Sequence, residues 1–305
     1  MTSGILHDAS WLVTDRSVGA SQGAFAFNNL AVHVGDDARA VARNRTAVAE
    51  RLGVPSVVFA RAAHSNRVAR VSQAGPDVPG VDALITDQAD LGLAAQGADC
   101  VMVALATVDG WIAAVHCGWK GLVEQIVAHT LRDLTDAGAD LRGARAHLGP
   151  SICADCYQVD AQRAEEVRMV VPEAVVVTSS GVGVDVRAGV QKQLRDHQVE
   201  SSADPRCTAE DPGLYSYRRD GVTGRQAIVV ARCASCHAAT PTFAGFAAAP
   251  KNVLLDTSER ILAQSKLVHQ QTVVLKAMPI GNLTQMTGEE RAKVDAWFRA
   301  GAKAD

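Results

Sequence analysis

Cys100 and His116 flank two short apolar runs, Val101–Ala106 and Trp111–Val115, within the stretch QGADCVMVALATVDGWIAAVHCGWK from Gln96 to Lys120. The turn-like Thr107-Val108-Asp109-Gly110 separates them, so they read as buried strands joined by a tight connection. Paired as an antiparallel hairpin, they bring Cys100 and His116 to its open end. A thiol and an imidazole there form a nucleophile–base pair, two ligands of a zinc ion, or simply a buried cysteine beside a satisfied histidine. His64 follows another predicted strand, Val57–Ala63. If the strands are neighbours, two imidazoles and one thiolate meet at one sheet edge. That is the three-ligand, open-position zinc site of catalysis, in which the metal lowers the pKa of bound water to ~7. Gly118-Trp119-Lys120-Gly121 opens a helical stretch, Leu122 to Leu134, whose N-terminus favours anions.

The elements that must position these side chains alternate along the chain. Residues 1–36 read as an irregular or strand-rich opening, and Asp36–Arg51 as a helix ended by Gly53 and Pro55. Strands are expected at Asp82–Thr86, Ala144–Leu148, Ala174–Val177, Leu214–Tyr217 and Gln226–Ala231, and helices near Ala161–Met169 and Asp185–His197. Such alternation predicts an α/β sandwich with mixed, largely buried sheets over residues 1–231.

The character changes at Cys233, and 232–305 is expected to be a small all-α domain of three helices. Cys233-Ala234-Ser235-Cys236-His237 is the C-x-x-C-H attachment sequence of c-type haem, with His237 as proximal ligand. Met278, followed by Pro279, can complete Met/His ligation. The last stretch reads as an amphipathic helix capped by Thr287.

A net charge of −3 gives no electrostatic case for nucleic acid or an anionic membrane. No run approaches the ~20 apolar residues of a membrane span. The N-terminus, MTSGILHDASWLVTDRS, lacks a basic n-region and a long apolar h-region, so a cytoplasmic location is expected. That location conflicts with haem attachment, which takes place outside the cytoplasm. Seven cysteines in such a chain read as ligands or reactive thiols rather than a disulfide framework. Of these, Cys153 and Cys156 form a C-x-x-C read as structural or incidental, and Cys117 is expected to pack in the core.

The stretches FNNLAVHVGDD, Asn44-Arg45, HSNRV, DALITD, GADC, HCGWKG, LGPSICADCYQV, Cys207-Thr208 and YSYRRDGVTGR occur in this order over residues 10–231. They resemble the laccase-domain family, also called multicopper polyphenol oxidase-like or YfiH-like. The resemblance implies a YfiH-like fold and a zinc centre on His64, Cys100 and His116. It also implies phosphorolysis of adenosine, inosine, guanosine and methylthioadenosine, with deamination of adenosine. Peptidoglycan-precursor editing, with Cys100 as nucleophile and His116 as base, is an alternative attached to the family. Phosphorolysis calls for an arginine that can fork onto phosphate, and Arg45 is the first candidate, with Arg218 as a second substrate contact. Asp99 is a candidate for orienting a ligand or moving protons. Where the family carries Gln two residues before the first His, this chain has Ala62. The family's older name implies copper oxidation, yet the nine histidines include no His-x-His pair, which argues against a multicopper site. Residues 233–305 resemble a small class I cytochrome c, most closely the tail of bacterial membrane-bound urate oxidases. Electron transfer to a redox partner through such a haem is the rival reading.

Overall fold

The computed structural model describes residues 1–7, 9–89, 91–232, 255, 258–278 and 286–303. It divides into two compact units, Met1–Cys233 and Ala234–Asp305.

Two six-stranded mixed sheets form the first unit. One runs, in spatial order, Thr2–Leu6 (β1), Ala9–Val13 (β2), Gln226–Arg232 (β14), Leu91–Gly97 (β7), Ser56–Arg61 (β3) and Val78–Pro79 (β5). The other runs Glu200–Ala203 (β13), Arg145–Leu148 (β10), Val101–Ala106 (β8), Ile112–Cys117 (β9), Ala83–Thr86 (β6) and Val68–Arg70 (β4). Val175–Thr178 (β11) and Gly181–Val184 (β12) make a separate antiparallel ribbon. Side chains alternate across each strand, so every central strand feeds two apolar layers. Leu91, Leu93 and Ala95 pack with Met102, Ala104, Ala114, Ile228 and Val230 between the sheets. Leu12, Phe59, Ala94 and Val229 face outward onto Val48 of the helix Ala38–Leu52 (α1). On the far face of the second sheet, Val103, Val115 and Cys117 pack on Ile126, Leu131 and Val190. The last three belong to the helices Ile126–Asp136 and Val186–Asp196. The result is the expected mixed-sheet α/β sandwich, layered helix, sheet, sheet, helix.

The expected hairpin is β8 and β9, antiparallel, with Met102 opposite His116 and Val101 opposite Cys117. Two expectations are corrected. The helix placed over Leu122–Leu134 is broken: Trp119–Val123 ends, and Gln125 in the left-handed region (φ 58°) starts Ile126–Asp136 on a new axis. Leu214–Tyr217 is not a strand; both Tyr215 backbone groups bond the side-chain amide of Gln226, at 2.7 and 3.0 Å, in place of a neighbouring strand.

In the second unit the described elements are helical. They are Ser258–Ala263, Ser265–His269 continuing as a π-helix to Val274, and Gly288–Arg299. Thr287 and Glu290 close a capping box on the last helix. Met278 accepts from Arg291 through its carbonyl. Cys233, Cys236 and His237 lie outside the described residues. Gln226–Arg232, immediately before them, is a strand buried between β2 and β7, so it is not the opening helix of a cytochrome-like tail. Among the described residues no helix is long and apolar enough to cross a membrane.

Candidate active site

Asp82 organises the site. Its side chain is almost fully buried just before β6, and it accepts five hydrogen bonds. The backbone N–H groups of Ala63, His64 and Ser65 donate to it at 3.1, 3.0 and 2.8 Å, and the Ser65 hydroxyl at 2.8 Å. His116 Nδ1 lies 2.9 Å from Oδ1. A single carboxylate therefore holds both the loop carrying His64 and the imidazole of His116. His64 itself sits in the left-handed region (φ 56°), a conformation that needs such a clamp.

Cys100 lies at the open end of the hairpin, its Sγ 3.9 Å from His64 Nε2. The His64 and His116 rings meet edge to face at 5.0 Å. Gly118 follows closely enough that a Cβ there would approach Cys100 Sγ to 3.0 Å and His64 Cδ2 to 3.1 Å. Cys117, the neighbour of His116, points into the opposite core.

Burial disfavours every charge at this centre, and mutual attraction outweighs it. The Cys100 thiol is raised by burial but brought down to about 6 by the His116 imidazolium and by hydrogen bonds from His116 and His64. Burial lowers His116, yet the Cys100 thiolate and Asp82 lift it to about 10. Burial would raise Asp82 too, but hydrogen bonds from His116 and Ser65 hold it well below the usual carboxylate range. Without metal, the pair is thus thiolate and imidazolium between about pH 6 and about pH 10. After chelation, alkylation of Cys100 mapped by mass spectrometry should titrate with a midpoint near pH 6, against about 8.5 for a free thiol. A midpoint above pH 8 would exclude the pair.

The donor set also fits a zinc ion. The ligand atoms of His64, Cys100 and His116 lie within 4.8 Å of one another. Tetrahedral bonds of about 2.3 Å to sulfur and 2.1 Å to nitrogen set an S–N spacing of about 3.5 Å, so only a small contraction is needed. Asp82 on Nδ1 leaves His116 Nε2 as the ligand atom, the carboxylate–imidazole arrangement typical of metal-binding histidines.

A cavity of about 430 Å³ opens over this centre, within the range of small-molecule sites. Gln96, Trp119, Tyr157, Arg163, Arg218 and Arg225 are among its lining residues. Gln96 is buried, and both atoms of its amide lack a hydrogen-bond partner. Arg163 covers the Trp119 ring at 4.8 Å, and its Nε is likewise buried without a partner. Arg218 covers Tyr157 at 4.9 Å and donates to the Gln158 carbonyl at 3.3 Å. Asp99 lines the cavity at φ 103°, and both its oxygens are occupied: Thr208 Oγ1 donates at 2.7 Å and the Arg218 N–H at 2.7 Å. Arg45 does not line the cavity. Its guanidinium is forked onto Asp77 at 2.6 and 3.0 Å, donates to the Leu30 carbonyl and stacks on Phe59.

The family model described as multi-copper polyphenol oxidoreductase laccase matches residues 10–233. The chain belongs to this laccase family. A purine nucleoside phosphorylase of Corynebacterium glutamicum is 42% identical over 225 residues, covering 71% of this chain and 92% of that protein. One of Mycobacterium tuberculosis is also 42% identical over 225 residues, covering 72% and 90%. The crystal structure of YlmD from Geobacillus stearothermophilus matches with a TM-score of 0.69 at 30% identity, over 74% of this chain and 93% of that one. A Neisseria meningitidis protein matches with a TM-score of 0.68 at 30% identity, over 76% and 98%.

For this laccase-family chain, sequence reasoning assembles the three candidate ligands but misses Asp82, Gln96, Arg163 and Arg225. Asp82 opens a recognised block, DALITD, and an acidic residue leading an apolar strand is a signal for a buried acceptor. Gln96 is the lone polar side chain of LGLAAQGA, which carries the same kind of signal.

Proposed function

We propose that this protein is a zinc-dependent purine nucleoside phosphorylase that also deaminates adenosine. The convergence of His64, Cys100 and His116 under a cavity lined by Arg163, Arg218 and Arg225 carries the reading. The relatives' names support the substrate class. In phosphorolysis a phosphate oxygen bonds to C1′ while the C1′–N9 bond breaks, and the purine leaves with the electron pair and takes up a proton. Arg163, with an unpartnered N–H, and Arg225 offset the phosphate charge. Arg218 takes the second place at the ring-stacked wall. Asp99, which accepts from Thr208 Oγ1 and from the Arg218 backbone N–H, positions these two residues at the cavity wall. A zinc ion on His64, Cys100 and His116 supplies Lewis-acid and water-activating chemistry at neutral pH, as deamination requires.

Gln96 offers one donor and one acceptor to a purine edge, the role that Ala62 cannot fill. Gln96→Leu should raise KM for nucleosides about 5- to 100-fold. Because it removes two buried unpartnered groups, it should also stabilise the free protein, by about 1–2 kcal/mol. Kinetics paired with urea unfolding checks both signs; a lower stability and unchanged KM would sink the assignment.

Chromatography of products from adenosine, with and without phosphate, tests the main reading. Adenine or hypoxanthine with ribose-1-phosphate, or inosine, should form. No turnover by folded, zinc-loaded protein would overturn it. The Cys100–His116–Asp82 alignment supports a second reading, nucleophilic editing of a peptidoglycan precursor through the thiolate. Activity that survives chelation but not alkylation would select it. For the tail, the C-x-x-C-H motif supports attachment of haem c through Cys233 and Cys236, with His237 and Met278 as axial ligands, read from visible absorbance that stays with the denatured chain.

A further inference from the structure

A second thiol cluster lies away from the candidate centre. Cys153 and Cys156 come from one turn, Cys207 and Glu210 from another, so a C-x-x-C loop faces a C-x-x-E loop. The four ligand atoms lie within 4.8 Å of one another. Glu210 Oε1 is 3.8 Å from Cys153 Sγ and 3.6 Å from Cys156 Sγ. The backbone N–H of Cys153 points at Cys207 Sγ, 3.3 Å away. The two loops are already in register, with Ser151 bridged to Cys207 and the Thr208 N–H bonded to the Ser151 carbonyl.

We propose that Cys153, Cys156, Cys207 and Glu210 form a closed structural site for zinc. Paired loops with two-residue spacers are the usual way a chain presents four tetrahedral ligands. Bonds of about 2.3 Å to sulfur set S–S distances of about 3.8 Å, within reach of the observed spread. Soft thiolates select zinc over calcium or magnesium, and Glu210, the exposed member, completes the shell. On binding, each of the three thiols releases one proton to solvent as its sulfur bonds the metal, with no change of oxidation state.

The consequence is mechanical. Ile152 and Tyr157, on either side of the C-x-x-C, line the cavity, and Thr208, next to Cys207, holds Asp99. Zinc here staples two walls of the cavity together. The inference is independent of the nucleoside reading.

Two measurements on the full chain test it. In the first, zinc bound per chain is measured for wild type, for Cys153→Ser/Cys156→Ser and for Cys100→Ala. The double variant should lose one equivalent that Cys100→Ala keeps from this site. Equal zinc in wild type and the double variant overturns the proposal. In the second, which needs no mutation, iodoacetamide labelling is mapped by mass spectrometry with zinc and after chelation. Zinc should slow labelling of Cys153, Cys156 and Cys207 at least ten-fold. Equal rates, or a disulfide among the three, overturn it.

Discussion

Asp82→Ala should lower stability by about 3–5 kcal/mol, the largest loss expected from a single polar substitution in this chain. The change orphans three backbone N–H groups, the Ser65 hydroxyl and the buried His116 Nδ1 at once. Asp82→Asn keeps the volume but puts an N–H₂ where donors converge, so it should recover less than half of the loss. The pH dependence has a definite sign. Asp82 is held below its unfolded value, so its contribution is present above about pH 4 and is lost as pH falls below it. The gap between wild type and Asp82→Asn in urea unfolding should therefore narrow in acid. His116 has the opposite sign: its contribution is complete below its unfolded value of 6.5 and is lost as pH rises through about 10. Zinc affinity should fall about 10- to 100-fold in either variant, because the carboxylate that orients His116 is gone. An unchanged unfolding midpoint would show that other contacts hold the His64 loop.

Cys100→Ala should cut nucleoside turnover more than about a thousand-fold while leaving the fold in place. Cys100 is only half-buried at the rim of the sheet and contributes little to either core. His64→Ala and His116→Ala should fall to similar floors. The double variants should be no worse than the singles, because the three groups act as one unit. Steady-state kinetics with circular dichroism as a folding control decides it. Turnover within ten-fold of wild type would remove the thiol from the chemistry.

The site's ligands are legible in the sequence because each lies at or near one end of a short apolar strand bounded by turn residues, and strand ends in a sandwich collect at a rim. The supports were harder to see. Leu91–Gly97 is a central strand despite Gly92, Ala94 and Ala95, residues of low strand propensity, because burial between β14 and β3 supplies what propensity does not. The helix break at Gln125 has neither Gly nor Pro to mark it. Arg45 is a phosphate candidate from sequence because its carboxylate partner, Asp77, is thirty-two residues away and reaches it only through the fold. Arg225 ends the block YSYRRDGVTGR, but nothing in that run tells it from Arg218 and Arg219, and Arg163 carries no local pattern; the cavity singles both out.

β14 has a consequence for how the protein is made. It is the last strand of the first unit, yet it lies between β2, near the start of the chain, and β7. During synthesis the ribosome must deliver Gln226–Arg232 before either of those edges is paired. Until then two apolar edges stand open to any other nascent chain, a recognised route to aggregation. Folding of this unit is therefore held back until nearly all of it has been translated, and a ribosome stalled before Gln226 would release a chain that needs chaperones to stay soluble.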